Sequence, residues 1–171
     1  MITPAYCQTM ARYNSWQNSQ MAAALAQLDP EALRQDRGAF FGSLLGTANH
    51  LLWADQLWLS RLTDVARPEV GMKGSPELTP TIAAWQAERF RIDGRFRLWA
   101  EGLGALDLTG DLVWHSGITG REERRPLAGI VMHVFNHQTH HRGQIHAMLT
   151  ALGIDPGPTD LFLMPAAETA R

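Results

Sequence analysis

The sequence contains a single cysteine, Cys7, among 171 residues. One thiol cannot form an intramolecular disulfide, so the fold does not depend on an oxidising compartment. The first residues, Met1 to Tyr6, lack a basic segment followed by an apolar stretch, so we expect no signal peptide. No apolar run approaches the length that crosses a bilayer. These absences together favour a cytoplasmic, bacterial protein without a membrane partner.

The chain also lacks an excess of charge of either sign. Its formal net charge is -2 and its isoelectric point is near 6.4. The one basic cluster, Arg121, Arg124 and Arg125, is interrupted by Glu122 and Glu123. Because nucleic-acid-binding domains usually carry a continuous basic surface, we expect no nucleic-acid partner.

Length and composition are those of one globular domain. Hydrophobic residues make up 45% of the chain and charged residues 19%, and a chain of this size can bury a sufficient core without disulfides. We expect a single domain over residues 1–171, with a C-terminal tail from about residue 154 to residue 171.

Four long stretches show the three-four spacing of apolar residues that predicts amphipathic helices. They are expected at about residues 4–28, 40–64, 80–103 and 126–152. Asp29-Pro30 and Thr79-Pro80 each combine an N-cap residue with proline at the first helical position. Residues 112–115 and 121–124 flank a glycine-containing turn and predict a small β-hairpin. The fold class is therefore all-α, a four-helix bundle with a minor hairpin before the last long helix.

The last long helix carries four of the seven histidines within nine residues. At about 100° per residue, His137 and His141 lie about 40° apart and inside the apolar stripe, where leucine or isoleucine is usual. Two imidazoles one turn apart can share a metal ion, and imidazole suits zinc, nickel, iron and copper. A third ligand must come from elsewhere; the helical candidates are His50 and carboxylates such as Asp55. The alternative is a pair of core histidines satisfied by hydrogen bonds.

Other polar residues lie close to this stripe. Gln144 is about 20° from His137 around the helix, so it is a candidate to contact a metal ligand. His133 and His140 lie on the flanks of the stripe and are further candidates for that role. Arg89 takes a core-spaced position in the third helix, where we expect it to snorkel or to pair with a carboxylate.

The segment His133-Val-Phe-Asn-His-Gln-Thr-His-His-Arg-Gly-Gln144 resembles the signature of the DinB-like (DinB/YfiT) family. That signature reads Asn-His, two variable residues, an aromatic residue or histidine, and then His-Arg-Gly-Gln. The stretch from Leu44 to Asp55 is similar to the family's second-helix histidine motif. Tyr13-Asn-Ser-Trp-Gln-Asn18 is similar to its first helix. The resemblance covers nearly the whole chain.

The resemblance implies three metal ligands, His50, His137 and His141, in a bundle of up-down-down-up order that is often a homodimer. It implies nickel or zinc as the bound metal. The wider superfamily includes transferases and isomerases that use low-molecular-weight thiols, so one hypothesis is a metal-dependent transfer of such a thiol to an electrophile, or a metal-assisted hydrolysis. The alternative is a non-catalytic metal-binding or stress-response protein.

Overall fold

A computed structural model describes residues 2–166. Its helices are α1 (Pro4–Leu25), α2 (Pro30–Arg34), α3 (Leu44–Leu62), α4 (Ile82–Glu101) and α5 (Leu127–Ala151). Short 3-10 turns lie at Met72–Glu77, Ala105–Leu108 and Leu161–Leu163. Strands β1 (Asp111–His115) and β2 (Glu122–Pro126) pair antiparallel directly before α5. The all-α prediction with one hairpin is confirmed.

The helix starts differ from the predicted ones because of local capping. The α3 helix begins at Leu44 instead of near Phe40, since the Ser43 hydroxyl accepts a hydrogen bond from the Gly46 N–H at 3.0 Å. The α4 helix begins at Ile82, because Thr81 is its N-cap. The predicted N-cap, Thr79, was therefore wrong by two residues. The α1 helix ends at Leu25, three residues before the predicted Leu28.

Side-chain pairs between helices fix the direction of each helix. Residue numbers rise together in the pairs between α1 and α5, so these two helices run parallel. Between α3 and α5, and between α1 and α4, the residue numbers rise on one helix while they fall on the other. These helices are therefore antiparallel. The pairs are Tyr6–Phe135 and Asn14–Arg142, then His50–His141 and Trp58–His133, then Asn18–Asp93 and Ala22–Gln86. The order of the four long helices is therefore up-down-down-up.

The core lies between these four helices and is mainly apolar, but it also contains an ion-pair network. Arg89 is buried and lies 2.6 Å from Asp55 Oδ2 on α3 and 2.8 Å from Asp93 Oδ1 one turn along α4. Of the two alternatives expected for Arg89, snorkelling or pairing with a carboxylate, the structure shows the pairing. Burial disfavours its charged form, but the two carboxylates outweigh that effect and raise the pKa of Arg89. In the described range, no helix is long and apolar enough to cross a membrane.

The loop between α3 and α4 is fastened to α3 by one buried amide. The Asn49 side chain donates to the carbonyl oxygens of Pro76 and Thr79 at 2.8 and 3.0 Å. Its oxygen accepts from the Thr79 N–H and from the Thr79 hydroxyl. Asn49 is fully buried. These bonds hold Thr79 in the loop beside α3, and Thr81 is the residue that caps α4.

We predict that Asn49→Ala destabilises the fold by about 3 kcal/mol, because it leaves buried donors and acceptors of the loop without partners. The measurement is the midpoint of urea unfolding of the metal-free protein, compared between variants whose free energies of unfolding depend on urea with the same slope. The matched control is Asn136→Ala on the exposed face of α5. Equal midpoints for the two variants would contradict the role of Asn49.

Candidate metal centre

Two helices bring three histidines together. His50 lies in the second turn of α3, and His137 and His141 lie one turn apart on α5. Because α3 and α5 are antiparallel neighbours, the first half of α3 faces the second half of α5. One ring nitrogen from each of these histidines lies within 4.8 Å of the other two. This group could hold a metal ion.

The spacing of the rings suits coordination. The Nε2 atoms of His137 and His141 are 3.1 Å apart. Two imidazoles that bind one ion at about 2.1 Å have their nitrogens roughly 3.0 to 3.4 Å apart. The His50 ring centroid lies 4.8 Å from that of His141 and 5.4 Å from that of His137. Small rotations of the rings would let one nitrogen of each histidine coordinate the same ion.

The second nitrogen of two of these rings has a partner of its own. His141 Nδ1 is 2.7 Å from Gln144 Oε1, and His50 Nδ1 is 2.9 Å from Ser75 Oγ. An amide oxygen can only accept, so His141 Nδ1 carries the proton and Nε2 keeps its lone pair. Such hydrogen bonds orient metal-binding histidines and fix their tautomer. The predicted contact between Gln144 and a histidine of the cluster is thus present.

Burial keeps these imidazoles neutral. Desolvation, and then the nearby His141, lowers the pKa of His50 to about 4. Desolvation and the neighbouring histidines lower the pKa of His137 to about 3. Desolvation also lowers the pKa of His141, although its bond to Gln144 acts in the opposite direction. A neutral imidazole is the form that binds a metal, so the cluster is ready to coordinate at neutral pH.

The cluster has a closed side and an open side. Phe41 stacks on His50 with ring centroids 3.7 Å apart, and His50 is only 4% exposed. His137 is half-buried, and both His133 and His140 are exposed. The rings of His133 and His137 are 5.7 Å apart, and those of His140 and His141 are 4.8 Å apart. The two flanking histidines therefore border the open side.

The structure does not bring a carboxylate into the cluster. Asp55 was a sequence candidate for the third ligand, but its oxygens accept from Arg89 Nη1 at 2.6 Å and from Gln138 Nε2 at 2.9 Å. It is buried between helices and committed to these partners. Within residues 2–166, the group that could hold a metal ion consists of three neutral side chains.

Sequence reasoning missed three contributors to the site. Ser75 lies in the 3-10 turn between α3 and α4, whose sequence gives no sign of a buried hydroxyl, and it reaches His50 only through the tertiary fold. Phe41 precedes α3 and covers His50 from outside that helix. Gln138 is fully buried beside the histidine pair and could have been noticed as a polar residue on the inner face of α5.

Comparison with known proteins places the chain in a family. A model described as DinB family matches residues 1–171. The chain belongs to the DinB family. It is similar to Protein DinB of Bacillus subtilis (strain 168), with 27% identity over 157 residues that cover 88% of each chain. No solved structure gives a significant match. The DinB resemblance of the α5 motif is confirmed, and the three histidines of the cluster are the ones that the DinB motif predicts as ligands.

We predict that Gln144→Leu weakens zinc binding by about 10-fold to 100-fold, because His141 loses the partner that fixes its tautomer. Competition with a chromogenic chelator measures the affinity. The control is Gln8→Leu, which changes an exposed glutamine on α1. If Gln144→Leu binds zinc as tightly as the wild type does, the hydrogen bond to His141 has no role in the site.

The neutral histidines also predict that the metal-free protein loses stability in acid. Between about pH 6.5 and about pH 4, the unfolded chain protonates His50 and His137 while the folded chain does not. The free energy of unfolding therefore falls as the pH falls through this window. Urea unfolding at a series of pH values should show a shallower decline for the double variant His50→Gln, His137→Gln. His115→Gln, on exposed β1, is the control; an unchanged decline in the double variant would refute this account.

Proposed function

We propose that this DinB-family protein binds one divalent metal ion, nickel or zinc, through His50, His137 and His141, and transfers a low-molecular-weight thiol to an electrophile. The observation that carries the proposal is the composition of the cluster: three neutral imidazoles, with the buried carboxylate of Asp55 bonded to Arg89 and Gln138 instead. Three protein ligands and an accessible side are the pattern of catalytic rather than structural zinc sites.

The charge of the ligand set favours a thiol as the exogenous partner. A divalent ion held there would keep its full double charge and would favour the thiolate form of a coordinated thiol at neutral pH. The thiol sulfur would then form a bond to the electrophilic carbon while the bond from that carbon to its leaving group breaks, and the leaving group would depart with that electron pair. His133 and His140 are exposed imidazoles at the open side and are available to accept the proton that the thiol releases.

Desolvation makes His133 suited to that role. Partial burial lowers the pKa of His133 below its usual value, so the ring is neutral at neutral pH and has a free lone pair. His133 lies 5.7 Å, between ring centroids, from His137. A small-molecule substrate that enters at the open side would meet His133 before it meets the buried rings.

The remaining expectations belong to the same proposal. The protein would act in the cytoplasm on small molecules, without nucleic acid or a membrane as partner, and as a homodimer. The formal net charge of -2 supports the exclusion of nucleic acid, because it provides no excess of positive charge.

We predict that the nickel- or zinc-loaded protein accelerates the conjugation of thiols with an activated aryl halide such as chlorodinitrobenzene. His50→Ala, His137→Ala and His141→Ala should each abolish the acceleration, while His115→Ala should retain it. Hydrolysis of an activated ester without any thiol would favour the hydrolase reading of the site. Absence of both activities in the metal-loaded protein would contradict catalysis and favour the non-catalytic metal-binding alternative.

A further inference from the structure

A line of aromatic rings leads away from the open side of the histidine cluster. It follows the seam between α3 and α5 towards the β-hairpin. The His133 ring lies 5.7 Å from that of His137 and 5.3 Å from that of Trp58, and Trp58 lies 5.6 Å from Trp114 on β1. We name His133, Trp58 and Trp114 the aromatic track. All three side chains are exposed or half-buried, so a ligand can contact them.

The aromatic track ends at a cation. The guanidinium carbon of Arg61 lies 4.3 Å from the centre of the Trp58 ring and 5.3 Å from that of Trp114. Such stacking holds the planar guanidinium in place while its edge N–H groups stay free to bond. Arg61 also lines a cavity of about 400 Å³ between the end of α4 and the hairpin.

The charge of Arg61 is not neutralised by a neighbouring acid. Within residues 2–166, no carboxylate lies within ion-pair distance of Arg61, whereas Arg89, Arg91 and Arg95 each have one. Asp107 lines the same cavity, but its carboxylate accepts a hydrogen bond from the Gly104 N–H. Partial burial, and then the positive charge of Arg67, lowers the pKa of Arg61 to about 10, so Arg61 remains charged at neutral pH.

The distance between the cluster and Arg61 sets the size of the ligand. His50 and Arg61 are both on α3, eleven residues apart, which is roughly 16 Å along the helix axis. Both side chains lean towards the N-terminus, so the lean itself leaves the gap unchanged. The successive distances from His137 to His133, to Trp58 and to the Arg61 guanidinium, 5.7, 5.3 and 4.3 Å, limit the gap to about 15 Å. A fully extended tripeptide spans about 10 Å. A thiol that spans from the cluster to Arg61 is therefore of about tripeptide size rather than the size of a single amino acid.

We infer that the aromatic track and Arg61 bind the carboxylate-bearing end of an acidic, peptide-sized thiol whose sulfur lies at the histidine cluster. That the ligand carries a thiol rests on the proposed function. That its other end carries a carboxylate rests on Arg61 alone. The alternative is that Arg61 merely covers two indole rings on the surface, in which case it does not distinguish acids from neutral molecules.

The test uses the cobalt-substituted protein, titrated with glutathione or with its diethyl ester. Coordination of the sulfur produces a thiolate-to-cobalt absorption band, which reports the dissociation constant directly. We expect glutathione to bind about 10-fold more tightly than the ester, since a charge-assisted hydrogen bond is lost in the ester. Arg61→Met should remove the difference, and Arg61→Lys should restore part of it. Arg97→Met, an exposed arginine of α4, should leave it unchanged.

A second measurement separates this inference from the proposed function. S-methylglutathione has no free thiol, and its binding to the metal-free protein can be followed by tryptophan fluorescence. If glutathione leaves the cobalt spectrum unchanged but S-methylglutathione binds in an Arg61-dependent manner, thiol transfer is refuted and the acid-binding site stands. If acid and ester bind equally in both experiments, or if Arg61→Met retains the preference for the acid, the inference is wrong.

Discussion

The buried carboxylate of Asp55 joins three of the four long helices. It extends from α3, accepts from Arg89 on α4 and accepts from Gln138 on α5. A buried charge that loses one partner costs roughly 3 to 5 kcal/mol, so this arrangement tolerates little sliding of one helix past another. Gln138 directly follows His137 in the chain, and Asp55 lies just over one turn beyond His50. The pairing of Asp55 with Gln138 therefore sets the register in which His50 faces His141.

The same arrangement explains why the histidine cluster contains no acidic side chain. The nearby carboxylate of Asp55 is bonded to Arg89 and to Gln138 within the bundle. The histidines are left with uncharged partners, Ser75 and Gln144, and with the face of Phe41. An ion bound to such a set keeps its positive charge and attracts an anionic ligand from the open side. Under the inference above, Arg61, which stacks on Trp58 at the end of the aromatic track, would attract negative charge farther from the cluster.

The sequence was sufficient for features that depend on one helix. The stripe of α5 predicted that His137 and His141 share one side, and their rings do lie together. It was insufficient where a residue's environment comes from a distant segment. His50 lies off the main apolar face of α3 by periodicity, yet it is buried because the loop carrying Ser75 and the ring of Phe41 cover it. Only the family motif assigned it to the cluster before the fold was known.

The N-cap of α4 also depends on a contact with a distant segment, which the local sequence does not reveal. Thr79 and Thr81 both have the side chain of an N-cap, and local sequence favours Thr79 because a proline follows it. In the structure, Asn49 holds Thr79 in the loop by bonds to its backbone and its hydroxyl, and Thr81 caps α4. For Arg89, the core-spaced position in a long helix predicted that the side chain either snorkels or pairs with a carboxylate, and the structure shows the pairing.

The most direct test of the account is the metal content of the protein purified without a histidine tag, measured by elemental analysis for the wild type and for single alanine variants at His50, His137 and His141. The account predicts about one equivalent of nickel, zinc or a similar divalent ion per wild-type chain and its loss from every variant. A wild-type protein that stays metal-free after incubation with nickel, zinc, iron and manganese would contradict it, and the histidines would then be packing residues of a bundle that binds its ligand without a metal.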